Sequence, residues 1–196
     1  MLKDLLKNKE ILLASGSPRR QQFFKDLDIP VTIDVRPVKE VYPNYLKNEE
    51  ITNFLAELKA EAFQKELKSD QILITSDTIV CHQDKVLGKP KDAAEAKAML
   101  TTLSGHTHEV ITSVCFTSSK KQQTLYSKTT VNFKELTPGE IDFYVDNYKP
   151  FDKAGSYAIQ EWIGLIGITN IEGSYFNVVG LPTHLVYDAL LDISSF

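Results

Sequence analysis

The run Ile72 to Cys81 is nearly continuous in apolar and β-prone residues. Such a pattern needs cover on both faces, and it reads as the central strand of a sheet flanked by helices. Its one polar interruption is Ser76-Asp77-Thr78. A charge at Asp77 is costly to bury, so the strand must bring it to water, a cation or a metal, unless it bonds nearby backbone or caps a turn.

A second constraint lies upstream. Ser15-Gly16-Ser17-Pro18-Arg19-Arg20 is entered from the apolar run Ile11-Leu12-Leu13-Ala14 and followed by Phe23, Phe24 and Leu27. The run reads as a buried strand, Ser17 as an N-cap, Pro18 as the first helical residue, and the three apolar residues as the buried stripe of the helix. Free N–H groups at that helix start would face an anion, with two guanidinium groups in the first turn. Cations there oppose the macrodipole by roughly 0.3 to 1 kcal/mol each, and a bound phosphate removes the conflict. The same residues also fit a surface helix whose arginines are merely solvated.

With 196 residues, 42% hydrophobic and 24% charged, the chain has the make-up of one globular domain, long enough to bury roughly 70% of its unfolded surface. A net charge of −4 argues against broad attraction to nucleic acid. No apolar run approaches a membrane span, and Met1 to Glu10 alternates charge with leucine where a secreted chain would carry an apolar core, so a cytosolic protein is expected. Cys81 and Cys115 read as buried reduced thiols. His82, His106, His108 and His184 have no zinc-ligand spacing, and His106 and His108 read as surface residues on one strand face.

Between these signals, Asn48 to Leu67 reads as a helix with Ile51, Phe54, Leu55, Leu58 and Ala62 inward and Lys59 at the margin of the stripe. Lys59 either snorkels or puts its ammonium into a neighbouring cleft. A turn at Gln83-Asp84 precedes Val86-Leu87-Gly88-Lys89-Pro90, where Lys89 sits at a bend fixed by its neighbours, as a simple turn lysine or a ligand-facing cation. A helix over Ala93–Leu103 follows, opened by Asp92 and Glu95 and closed by Gly105. Strands are expected over Val110–Thr117 and Leu125–Phe133, joined by the polar connection Ser118 to Gln123. Thr137-Pro138-Gly139-Glu140 opens a helix with Ile141, Tyr144, Val145 and Tyr148 inward. Short strands and glycine turns are expected through Ile163 to Val179, then a last helix from Pro182 to about Asp192. Glu40 lies in a loop-like stretch after Pro37. Asp152 to Gln160 sets small residues around a few polar groups, as a close-packed turn would.

Taken together, the chain resembles the Maf family of nucleoside triphosphate pyrophosphatases from about Ile11 to its final helix. The resemblance is carried by Ser15-Gly16-Ser17-Pro18-Arg19-Arg20, Glu40, Lys59, Ser76-Asp77-Thr78, Gly88-Lys89-Pro90, Leu103-Ser104-Gly105, Asp152-Lys153-Ala154-Gly155, Ile159-Gln160 and Gly173-Ser174-Tyr175 through Gly180-Leu181-Pro182, all in family order. It implies an α/β, two-lobed fold with an elongated mixed β-sheet flanked by helices, similar to the inosine-triphosphatase-like enzymes, as a single domain over residues 1–196 with a central substrate cleft. It also implies hydrolysis of a nucleotide between its α- and β-phosphates, giving a monophosphate and pyrophosphate. Arg19, Thr78 and Gln160 resemble the trio of the dTTP and UTP branch, and an amide at Gln160 offers both donor and acceptor to a pyrimidine edge. Ser156 and Ala158 stand where that motif commonly has glycines, and Phe23-Phe24 where a leucine pair is common.

On this resemblance Ser15, Arg19, Arg20, Lys59 and Lys89 bind the triphosphate, Asp77 is the general base, and Glu40 with Asp77 holds a divalent cation, Mg²⁺ before Mn²⁺ or Co²⁺. A carboxylate is a weak base near neutrality, which a cation offsets by acidifying water. Lys153 ranks below Lys59 and Lys89, and a homodimer is a family-level expectation. A nucleotide-binding regulator without turnover is the rival reading, but a pure phosphate binder gains nothing from carboxylates beside an anion unless a metal intervenes. Purine housekeeping of the inosine triphosphate type is the rival within enzymes.

Overall fold

The computed structural model describes residues 2–83 and 85–192. In chain order its elements are α1 (Leu2–Leu5), β1 (Glu10–Leu13), α2 (Pro18–Asp26), β2 (Thr32–Ile33), α3 (Glu49–Glu61), β3 (Gln71–His82), β4 (Lys85–Leu87), α4 (Ala93–Leu103), β5 (Thr107–Thr117) and β6 (Gln122–Phe133). There follow α5 (Pro138–Tyr148), a 3-10 turn (Ala154–Ser156), α6 (Trp162–Gly167), β7 (Ile168–Glu172), α7 (Tyr175–Val179) and α8 (Thr183–Leu191). The strands form one mixed seven-stranded sheet in the order β2-β1-β3-β5-β6-β7, with β4 paired to β3 off that path. This is the mixed α/β architecture the sequence implies. Among the described residues no helix is long and apolar enough to cross a membrane.

The chain divides into two compact units, the first comprising Met1–Asp77, Thr112–Ser127 and Gly180–Phe196, the second Thr78–Ile111 and Lys128–Val179. In the first unit β1 pairs in parallel with both β2 and β3. The pleat sends alternate residues to opposite faces. Ile11, Leu13, Ile72 and Ile74 therefore pack with Phe24 of α2 and with Val186 and Leu190 of α8. Leu12 and Leu73 pack instead with Ala56, Ala60 and Phe63 at α3. Each fully buried side chain of this kind contributes on the order of 1.5–3 kcal/mol. Helix α2 starts as its sequence requires, with Pro18 at the first position and the Ser17 hydroxyl accepting from the Arg20 N–H.

Helix α3 departs from expectation in register and length. Its buried face is Ile51, Thr52, Leu55, Ala56 and Ala60, while Phe54 and Leu58 are half-buried and Ala62 is exposed. Lys59 therefore stands on the inward face and not at its margin. Small residues let α3 approach the sheet closely enough for the Thr75 hydroxyl to donate to the Ala56 carbonyl at 2.6 Å and for the Thr52 and Ser113 hydroxyls to meet at 2.6 Å. The helix ends at Glu61, not Leu67, because the next residues tighten into i→i−3 bonds and Arg36 takes the Ala62 carbonyl at 2.7 Å, its guanidinium 4.0 Å from the Phe63 ring centre.

The second unit centres on Leu100 and Leu103 of α4, Val110, Val131, Tyr144 of α5 and Ile163 of α6. Helices α4 and α5 open on the expected capping residues. Thr137 and Glu140 form a full capping box. Asp92 accepts from the Glu95 N–H, but the Glu95 carboxylate returns to Lys91 N at 2.7 Å, one residue early. Strands β5 and β6 each begin three residues before their expected starts, leaving a polar connection of residues 118–121. The earlier start carries His108 inside: it is 2% exposed and bonded through Nε2 to the Tyr157 hydroxyl at 2.7 Å, contrary to the surface reading, whereas His106 is exposed. Tyr148 is 39% exposed and stacks on Tyr144, so it is not an inward residue. Residues 163–179 are mostly helical, with β7 the one strand there among the described residues. Gly164 and Gly167 lie within α6 and allow close approach, a Cβ on Gly164 falling 1.9 Å from the Ile159 carbonyl oxygen, whereas Gly173, at φ 123° between β7 and α7, turns the chain as expected. Of the expected turn at Gln83-Asp84, Gln83 is in a turn at φ 47° and Asp84 lies outside the described residues. Cys81 and Cys115 are buried and reduced.

Candidate functional site

Strand β1 stops short of its neighbour. The last parallel rung is Ala14 N–H to the Ile74 carbonyl at 3.0 Å, after which the chain turns away through Ser15 and Gly16. The Ser76 carbonyl, two residues further along the same edge, thus loses its strand partner. Side chains replace it: Arg20 donates from Nη1 at 2.9 Å and Lys59 from Nζ at 3.4 Å. Arg20 is held again by Nε on the Gly180 carbonyl at 2.8 Å. Since α2 and α3 cover opposite faces of the β2-β1-β3 sheet, the carboxyl ends of β1 and β3 are a switch point of the chain path, where open α/β sheets take ligands.

At that switch point Asp77 shares the α3 face with Leu73 and Thr75. Its Oδ1 accepts from Lys59 Nζ at 2.7 Å, and the same ammonium lies 3.3 Å from Glu40 Oε1. The side chains are 16% exposed at Lys59 and 10% at Asp77, against 50% at Glu40 on its loop. One cation therefore bridges two carboxylates, and removing one partner of so buried a pair costs about 3–5 kcal/mol. Desolvation lowers the Arg20 pKa; Asp77 and Glu40 raise it and Arg19 lowers it, so these four charges share one electrostatic neighbourhood. Ser15 is buried, with its hydroxyl accepting from Ser17 N–H at 3.3 Å and its carbonyl from Gln21 Nε2 at 3.0 Å. Apart from its own chain neighbours, no atom of the described residues lies within 4 Å of where a Cβ on Gly16 would sit.

The structure thus gathers Arg19, Arg20, Glu40, Lys59 and Asp77 in the first unit. Thr78, Lys89 and Gln160 belong to the second. Thr78 follows Asp77 along β3 and is half-buried, while Lys89 and Gln160 are exposed. The bends carrying Lys89 and Gln160 are tied together by the Gly155 N–H donating to the Gly88 carbonyl at 3.1 Å. Gly155 has φ +67°, with Val80 side-chain atoms 3.0 Å from its would-be Cβ. Ser156 also takes a left-handed φ of 61° and turns its hydroxyl to Met99 Sδ at 3.1 Å, which is how a residue with a side chain occupies that turn. Lys153 is buried between Asp152 at 2.7 Å and Glu161 at 3.4 Å. A group with no motif of its own also holds this turn, the Tyr144 hydroxyl, which bonds both Ala158 N and Glu161. Its only sequence signal was the inward register of Tyr144. A groove of about 540 Å³ in the second unit, lined by Lys97, Ser104, His106, Glu135 and Asp142 among others, holds none of the expected site residues.

Among the described residues no group of three or more His, Cys, Asp or Glu side chains is arranged to hold a metal. Glu40 and Asp77, joined through Lys59, are a two-carboxylate oxygen set. That fits Mg²⁺, which keeps waters and takes one or two carboxylates plus substrate phosphates, and it does not fit an all-protein cage.

A profile described as Maf-like protein matches residues 10–193. A Christiangramia forsetii protein named dTTP/UTP pyrophosphatase is 67% identical over 193 residues, 98% of each chain. A Flavobacterium johnsoniae protein of the same name is 58% identical over 190 residues, 97% of this chain and 98% of its own. The solved structure of the Staphylococcus aureus Ham1 protein aligns over 64% of this chain and 72% of that one at 18% identity, with a TM-score of 0.48. On the profile match and the near full-length relatives, the chain belongs to the Maf family.

Proposed function

We propose that this chain is a cytoplasmic nucleoside triphosphate pyrophosphatase that hydrolyses dTTP and UTP to the monophosphate and pyrophosphate. The observation that carries the reading is the Lys59 ammonium set between Asp77 Oδ1 and Glu40 Oε1 at the open end of β1 and β3. Two carboxylates beside Arg19, Arg20 and Lys59 make sense for a polyanion that arrives with a cation. The family relationship and the name carried by relatives 67% and 58% identical support the substrate class.

In this reading Glu40 and Asp77 hold a divalent cation, Mg²⁺ by preference, together with the phosphates. When bound, that cation acidifies water and offsets negative charge on the phosphate oxygens. Arg19, Arg20, Lys59 and Lys89 bind the triphosphate, each charge-assisted contact contributing on the order of 1.5–3 kcal/mol where desolvated. Ser15 and the N–H groups after it orient a phosphate. Asp77 takes the proton of the attacking water, which bonds to the α-phosphorus as the α–β anhydride breaks and pyrophosphate leaves. Lys59 holds the Asp77 carboxylate in place for that step. Arg19, Thr78 and Gln160 select the base, Gln160 by an amide that both donates and accepts. Positioning and charge neutralisation carry such chemistry, and no covalent intermediate is needed.

The test is pyrophosphate release with Mg²⁺ across dTTP, UTP, CTP, ITP and 7-methyl-GTP. Release from dTTP and UTP above the rest is the expected result. Binding of these nucleotides without release overturns the enzymatic reading, and preference for ITP or 7-methyl-GTP overturns the pyrimidine assignment.

A further inference from the structure

The turn that carries Gln160 is fastened by a side chain outside it. Tyr144 of α5 is fully buried, and its hydroxyl lies 3.2 Å from the Ala158 nitrogen and 2.5 Å from Glu161 Oε2. A backbone N–H only donates, so the phenol oxygen accepts from Ala158. Its single proton then goes to the Glu161 carboxylate, which only accepts. Burial, together with the Glu161 carboxylate, raises the phenol pKa, so Tyr144 keeps that proton. One oxygen thus grips the residue two before Gln160 and the residue just after it. The far oxygen of Glu161 lies 3.4 Å from Lys153, which Asp152 holds at 2.7 Å, so the grip extends into the start of the same turn.

Packing alone does not ask for this. A phenylalanine would fill the same space and keep the ring stacked on Tyr148 at 5.0 Å. Gln160 itself is exposed, so its presentation depends on the backbone that bears it and not on burial of its own side chain. We infer that Tyr144 is a positioning residue for nucleotide selection, its hydroxyl fixing the Ala158–Glu161 segment so that the Gln160 amide meets the base in one orientation. This rests on the reading of Gln160 as the group that recognises the base.

The experiment compares kcat/KM for UTP and for ITP in the full chain and in Tyr144→Phe, Gln160→Ala and the double variant. Tyr144→Phe is expected to lower the UTP-to-ITP ratio about tenfold through a higher KM for UTP, with ITP turnover within about twofold of wild type. Gln160→Ala should lower the ratio at least as far, and the double variant should be no worse than Gln160→Ala alone, because both act through one contact. A ratio that falls in Gln160→Ala but not in Tyr144→Phe overturns the inference and leaves the base-reading role standing. An unchanged ratio in Gln160→Ala overturns that role and the inference with it. Equal losses on UTP and ITP in Tyr144→Phe mark a merely structural residue and also overturn it. Should Tyr144→Phe fail to fold, Glu161→Ala removes the other end of the grip, and a UTP-to-ITP ratio equal to wild type there decides against it.

Discussion

Among the described residues Lys153, which is buried, and Lys59, which is half-buried, each sit between two carboxylates, and they differ in where the carboxylates come from. Lys153 takes both partners, Asp152 and Glu161, from its own ten-residue turn, and Glu161 is further committed to the Tyr144 hydroxyl. Lys59 takes Asp77 from a strand and Glu40 from a loop, and shares the Ser76 carbonyl with Arg20. The first arrangement is closed and local and holds a backbone shape. The second collects charge from distant segments at the point where β1 runs out, and cations outnumber carboxylates there. An ammonium that folds a turn needs only its own partners, whereas, on the function proposed above, the cations gathered at a strand end serve a polyanionic substrate.

The sharpest way to break that contrast is to neutralise one carboxylate in each set. Asp77→Asn is expected to lower kcat by about two to four orders of magnitude, the scale of a lost general base. Asp152→Asn should leave kcat within a few-fold, since the Asp152 side chain is 62% exposed and Glu161 remains on Lys153. Pyrophosphate release measured on both variants checks the pair. Comparable losses in the two would erase the distinction between a site lysine and a turn lysine.

A smaller effect tests the closed arrangement through its backbone. Gly155→Ala places a side chain at φ +67° with Val80 atoms 3.0 Å away. A left-handed non-glycine residue costs about 1–3 kcal/mol, and Val80 must shift as well. Urea unfolding should show the loss in the midpoint with little change in slope. A wild-type midpoint would mean that the turn is looser than its hydrogen bonds indicate.

The sequence carried much of the open arrangement and little of the closed one, for physical reasons. Ser17 before Pro18 is a local signal, and Asp77 stands out because a carboxylate inside an apolar strand is costly wherever the strand goes. Lys59 reads as a stripe-margin residue because the inward face of α3 includes Thr52, Ala56 and Ala60, whose small or hydroxyl-bearing side chains give a weak apolar period. The glycines of residues 163–179 read as turns, yet Gly164 serves close packing against Ile159. Tyr144 was legible as inward, but its hydroxyl's partners lie 14 and 17 residues away, beyond any periodic pattern. His108 reads as outward for a similar reason, its partner Tyr157 being 49 residues distant.

That histidine gives the next test, because it places a pH dependence on stability in the second unit and not on the open site. Burial, with a further contribution from His82, holds the His108 pKa down at about 3 against an ordinary 6.5. The folded chain keeps the imidazole neutral while the unfolded chain takes up the proton first. Stability from this group is therefore complete above about pH 6.5 and declines as the pH falls toward 3, at up to about 1.4 kcal/mol per pH unit. Urea midpoints from pH 7 to 4 should fall more steeply in wild type than in His108→Phe. Parallel curves would show that His108 is protonated as readily in the fold as out of it.

The smallest expected effect returns to the first unit and asks how far its charges depend on local structure. The Ser17 hydroxyl accepts from the Arg20 N–H at 3.4 Å, a long bond, so Ser17→Ala should cost about 0.5 kcal/mol, at the low end for a lost N-cap. In a chain of 196 residues that corresponds to a fall in Tm of about 1–2 °C. Turnover should change much less than in Asp77→Asn, because the Arg20 guanidinium is held by the Gly180 and Ser76 carbonyls and not by the cap. A loss of kcat/KM approaching that of Asp77→Asn would mean instead that the N-terminus of α2, and not the convergence of side chains on β3, supplies most of the phosphate binding proposed for this site.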